Sequence, residues 1–143
     1  MIFSAFETYA AGKGISASVV PEPQDSDYES GRIEIDGTVW HIRTARNTPT
    51  KPGAFVAFWR RDGDGKTVPF GSSDPAAGLL VFVEQGGGRG VFRFTAAHLA
   101  ELGVTSVRGP GKRGFRLYPS WCEGLNRQAA ATQRAQAPAF QEY

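Results

Sequence analysis

The sequence predicts an α+β fold, a mixed and mostly antiparallel sheet flanked by helices. Three observations lead there. Short alternating or wholly apolar runs of strand length dominate the middle of the chain. Turn formers such as Asp36-Gly37 and Gly86–Gly88 separate these runs. Helical patterns occur only at the start, in the late middle and at the end. With 143 residues the chain is long enough for one domain with a sizeable core.

Taken in order, Phe3, Phe6 and Ala10 share one helical face, and Gly12 and Gly14 end that helix. Pro21–Gly31 reads as an acidic surface loop. Arg32–Arg43 forms two alternating runs around Asp36-Gly37, whose residues tolerate the positive φ of a type I′ turn. Trp40 and Ile42 then share one face, and His41 and Arg43 the other. Ala54–Trp59 and Leu79–Val83 are apolar on both faces and read as central strands. Gly90–Phe94 pairs with the latter through the glycine turn. Thr95 caps a helix running to Leu102, and Gly103 stops it. Arg116–Tyr118 is the last expected strand. The alanine-rich run Arg127–Ala137 is a helix, starting near Ser120 or Asn126 and ended by Pro138. Phe55, Val56, Phe58, Leu80, Phe82, Phe92, Phe94, Leu99, Phe115 and Leu117 are expected in one core.

Charge is unevenly distributed. Residues 1–36 carry seven acids against Lys13 and Arg32, a net of −5, whereas residues 37–143 carry a net of +7. The single domain thus divides into a helix with an acidic leader, 1–31, and a basic body, 32–143. That asymmetry suits a polyanionic partner. Cys122 is the only cysteine, so no internal disulfide can form, which fits a reducing cytoplasm. Met1-Ile2-Phe3 opens no basic and apolar leader of the secretory kind, and no apolar run is long enough to span a bilayer.

The segment Gly109–Trp121 concentrates these properties. A glycine-rich loop lets backbone N–H groups approach an anion, and Lys112 and Arg113 add charge there. The strand that follows puts Arg116 and Tyr118 on one face, with Phe115 and Leu117 on the other. Candidate phosphate contacts are Arg43, Arg46, Lys51, Arg60, Arg61, Lys112, Arg113 and Arg116. Tyr118, Trp121 and Phe70 are candidate stacking surfaces. The expected partner is nucleic acid, DNA in the first place, or another polyanion such as a phosphorylated metabolite.

Other chemistries find less support. A metal-dependent nuclease or phosphodiesterase needs converging carboxylates and a lysine; Asp64-Gly65-Lys66 with Asp36 is the one such spacing, and it falls in a turn. Cys122 near a helix start could be a nucleophile, but the two histidines, His41 and His98, are remote in sequence. Gly109–Arg113 lacks the Lys-Ser/Thr ending of a P-loop. No catalytic residue, metal or cofactor is therefore expected. A protein-binding module using the acidic leader or the Ala/Gln helix remains open.

Several ordered landmarks resemble the MepB family: Thr48–Arg61, Val68–Phe70, Gly111–Arg113 with Arg116–Trp121, and Asn126–Ala129 with Thr132-Gln133. The resemblance runs from about Trp40 to the C-terminus. It implies an α/β fold similar to restriction-endonuclease-like nucleases, and a role with nucleic acid, without a settled activity. Two departures stand out. Arg46 replaces the family's usual lysine, keeping charge but not a point-charge geometry. Ala135 and Ala137 flank Gln136 where the family usually has bulky apolar residues, which leaves the last helix without the family's packing residues.

Overall fold

The structure of the protein, a computed structural model, describes residues 3–22 and 28–143. Asp25 and Asp27 of the acidic leader lie outside the described residues. The elements run α1 (Ser4–Lys13), β1 (Val20–Pro21), β2 (Gly31–Ile35), β3 (Thr38–Thr44), β4 (Arg46–Asn47), β5 (Ala54–Ala57), β6 (Arg60–Arg61) and β7 (Thr67–Val68). They continue with β8 (Gly78–Gln85), β9 (Gly88–Thr95), α2 (Ala96–Glu101), β10 (Gly114–Leu117), α3 (Arg127–Gln136), a 3-10 turn (Ala137–Ala139) and β11 (Phe140–Glu142).

Local chemistry sets most of these boundaries. Gly14, at φ 66°, ends α1 and donates its N–H to the carbonyls of Ala10 and Ala11. Asp36 and Gly37, at φ 51° and 79°, form the turn between β2 and β3, with Ile35 opposite Thr38. The Thr95 hydroxyl accepts from the His98 N–H and starts α2. For α3 the cap is Asn126, whose side chain accepts from the Ala129 N–H. Ser120, the earlier alternative, instead hydrogen-bonds Glu142.

The main sheet has the order β1-β2-β3-β8-β9-β11. Only β3 and β8 pair in parallel within it; the other neighbours are antiparallel. Parallel neighbours need a long crossover. Residues 45–77 supply it without a helix, as β4 and β5, which β10 joins to make a three-stranded sheet of order β10-β5-β4, and as the small β6–β7 pair. Among the described residues no helix is long and apolar enough to cross a membrane.

The expected single core is in fact two. On one face of the main sheet Val56, Phe58, Phe115 and Leu117 meet Leu79, Val81, Val83, Phe92, Phe94 and Leu99. On the other face Leu80 and Phe82 meet Phe3, Phe6 and Ala10 of the α1 region together with Trp40 and Ile42. The reason is alternation: β8 is buried on both sides, so its successive side chains enter opposite layers. Phe55 belongs to neither core and is only partly buried, its ring touching Tyr28. The strand Ala54–Ala57 is central, but in the small sheet rather than the main one.

Several short strands escaped the periodicity: β1, β4 and β6, whose stretches read as loop or turn, and β11. After Pro138, β11 pairs antiparallel with β9, placing Phe140 opposite Phe92. Its three residues are too few for alternation to register.

The two-layer core makes a clear stability prediction. Phe92→Ala, with Phe92 fully buried, should cost about 3–5 kcal/mol in urea unfolding, as buried Phe truncations do. Phe55→Ala should cost distinctly less. Equal losses would show that Phe55 is a core residue after all.

Candidate functional site

The three-stranded sheet presents the basic surface. In its register Phe55 lies opposite both Arg46 on β4 and Arg116 on β10, so these three side chains share one face. That face looks into a groove of about 750 Å³ bounded by α3, lined in part by Phe55, Lys112, Arg116, Tyr118, Gln128 and Thr132. Glu101 also borders it. Arg116 donates through Nη2 to the Thr48 hydroxyl and to the Pro52 carbonyl, 2.8 Å away. These bonds hold the guanidinium in place and anchor the loop that carries Lys51. Within that loop Gly53 has φ 78°, and a Cβ there would stand 2.3 Å from the Leu117 carbonyl oxygen. Only glycine lets the loop lie this close to β10.

Helix α3 is docked here by glutamines. Gln136 is buried; its amide donates to the Arg116 carbonyl at 2.8 Å and accepts from the Tyr118 N–H at 3.0 Å. It thus satisfies the β10 edge as a neighbouring strand would. Gln133 donates to the carbonyls of Pro119 and Cys122. Polar contacts therefore do what bulky residues at 135 and 137 would otherwise do.

The remaining candidates lie off this row, although Lys112 borders the groove. Lys112 and Arg113 are exposed at the entrance to β10, with Arg113 reaching the Thr67 hydroxyl at 3.4 Å. Arg60 and Arg61 lie on β6, around a separate cavity. Trp121 and Phe70 are not open stacking surfaces. Trp121 donates to Gln85 and packs on Phe140, while Phe70 is buried and stacked on Phe58. Cys122 contacts Gln85 rather than a histidine, and burial pushes its thiol pKa up, away from a nucleophile. Asp62 accepts from the N–H groups of Asp64 and Lys66 and so organises the β6–β7 turn, while Asp36 sits in the separate β2–β3 turn.

Arg43 corrects the sequence reading most sharply. It is 1% exposed and cannot contact a phosphate at the surface. Its guanidinium clamps Glu22, with Nη1–Oε1 3.0 Å and Nη2–Oε2 2.8 Å, and lies against the ring of Phe58. Glu22 in turn stands 2.6 Å from Nδ1 of His41, and Nε2 of His41 stands 2.8 Å from Asp74. Glu22, expected in a surface loop, is buried. A carboxylate oxygen on each ring nitrogen favours the imidazolium form of His41, which can donate from both. The result is a line of alternating charge, Arg43–Glu22–His41–Asp74, tying the leader, β3 and the crossover together.

A family model described as MepB-like matches residues 22–142. The chain belongs to the MepB-like family. It is similar to a protein solved as the crystal structure of MepB, at 30% identity, with 99% of this chain and 97% of that chain covered and a TM-score of 0.86. No curated protein matches it. The family match begins at Glu22, the earliest residue of the ion line in the sequence, so it includes every member of that line.

In this MepB-like chain the ion line shapes stability against pH. Burial works against the charged form of Glu22, but hydrogen bonds from His41 and Arg43 and the Arg43 charge outweigh it, leaving the carboxyl below its ordinary 4.5. Burial also works against the His41 cation, and hydrogen bonds to Asp74 and Glu22 with their charges outweigh it, raising the ring above 6.5. The Glu22 contribution is present above pH 4.5 and is lost as pH falls; the His41 contribution is present below pH 6.5 and is lost as pH rises through the raised value. Both act fully between those limits. Urea unfolding across pH should show the maximum there, and His41→Gln should abolish the decline on the alkaline side. Glu22→Ala, which strands Arg43, should cost about 3–5 kcal/mol. An alkaline limb unchanged in His41→Gln would remove the imidazolium from this account.

Proposed function

We propose that this MepB-like protein binds nucleic acid, with DNA as its first partner, through the groove between the β10-β5-β4 sheet and α3. The observation that carries this reading is the row Arg46–Phe55–Arg116 on one sheet face, with Lys112 and Tyr118 lining the same groove. Cations gathered on one face suit phosphate oxygens, and the adjoining rings of Phe55 and Tyr118 offer surfaces on which bases stack. Nη1 and Nε of Arg116 make no hydrogen bond among the described residues, so its fork still has donors for a phosphate oxygen. In this reading the chain binds the strand without cleaving it.

The test is a salt titration. Each neutralised phosphate releases counterions, so log K falls against log salt with a slope of about −0.9 per contact on duplex DNA. Lys112→Ala with Arg113→Ala should weaken binding alike on two unrelated duplexes and flatten the slope by about 2. Its melting temperature should stay near that of the parent, because exposed cations contribute only about 0–1 kcal/mol to folding. An unchanged slope in a folded variant would remove this loop from the phosphate site.

A further inference from the structure

A second cavity, of 320 Å³, is lined by Glu22, His41, Asp74 and Phe70 and by Arg32, Arg60 and Arg61. It shares no lining residue with the groove. The charges of the ion line cancel in pairs, Arg43 with Glu22 and His41 with Asp74. Those of the three arginines do not. The side chains of Arg32 and Arg60 make no hydrogen bond or ion pair among the described residues, and Arg61 gives one side-chain N–H to the Gly65 carbonyl while lying over Trp59. Three guanidinium groups around so small a space suit a doubly charged anion, which their planar forks bind bidentately.

Asp74 adds a second requirement. Its side chain is 20% exposed, against 4% for Glu22, so it is the carboxylate of the ion line that a ligand can reach. One oxygen accepts from His41 and the other, at 3.3 Å, from the Ala76 N–H. Each oxygen has a further lone pair for an N–H or O–H donor. Inorganic phosphate would satisfy the arginines, but its hydroxyl sits on the same phosphorus as its charges, so donating it to this carboxylate brings those charges against Asp74. A phosphate esterified to a group that carries hydroxyl or amine donors satisfies both. The volume lies at the small end of ligand sites, where a single nucleotide fits.

We propose that this cavity binds a phosphomonoester on a donor-bearing group, of which a nucleoside monophosphate is the probe, with Arg32, Arg60 and Arg61 on the phosphate and Asp74 on the donor. The site is independent of the groove, and the experiment keeps the two apart. Calorimetric titration of the full chain with adenosine monophosphate should show saturable binding. Adenosine and inorganic phosphate should each bind at least about tenfold more weakly, since each lacks one half of the recognition. Arg32→Ala with Arg60→Ala, neither residue being part of the core, should lower the affinity for adenosine monophosphate by about tenfold or more. Arg60→Lys should restore part of that loss when Arg32 is intact. Lys112→Ala with Arg113→Ala should leave it unchanged. Competition with a 5′-phosphorylated oligonucleotide tells the source: displacement of the nucleotide assigns the cavity to strand ends, and failure to displace it assigns the cavity to free nucleotides. No saturable binding, equal binding of inorganic phosphate, or indifference to loss of Arg32 and Arg60 would overturn the proposal.

Discussion

The parallel pairing of β3 with β8 is the constraint on which the rest of the structure depends. It obliges residues 45–77 to cross one face of the main sheet. That crossing covers the side of β3 that carries His41 and Arg43. Two cationic side chains buried under an aromatic layer would be prohibitively costly without counterions. Glu22 arrives from the leader and Asp74 from the end of the crossover, one on each side of the imidazole. The ion line is thus the electrostatic consequence of a topological requirement. It also determines where the leader enters the body and where the 320 Å³ cavity opens.

The crossover has a second consequence. Because it is built from strands, its outer face is another sheet surface, and β10 joins it from far along the chain. Cross-strand register then assembles Arg46, Phe55 and Arg116 from three segments into one row. Helix α3 completes the groove through amide contacts from Gln133 and Gln136, which leave Ala131 and Ala135 exposed along it rather than filling it. The fold therefore separates its two basic features: an extended groove on the small sheet, and a compact cavity beside the ion line.

Much of the fold was legible because short-range rules govern it. The Asp36-Gly37 hairpin, the Gly14 and Gly103 stops, the Thr95 and Asn126 caps, and the alternation of Phe115 and Leu117 against Arg116 and Tyr118 all follow from neighbouring residues. What depended on distant partners was not legible. Arg43 looked like one more cation of a basic body; its burial follows from a crossover and from Glu22, 21 residues away. Glu22 sat among turn formers and acids, a composition that signals solvent exposure. Gln136 carried no signal of its own between Ala135 and Ala137, whereas it serves as a surrogate strand partner. His41 carried the only available hint, since it alternates with Trp40 and Ile42 on a strand whose other face also had to be covered.

The central claim is that the small-sheet groove, and not merely the net charge of the body, receives nucleic acid. Backbone amide shifts recorded by NMR during titration with a short duplex test it most directly. The account predicts perturbations that saturate together and centre on Phe55, Lys112, Arg116 and Tyr118, with the neighbouring turns of α3, while α1 and the opposite core stay unmoved. Shifts spread evenly over exposed lysines and arginines, or centred on another face of the molecule, would contradict it.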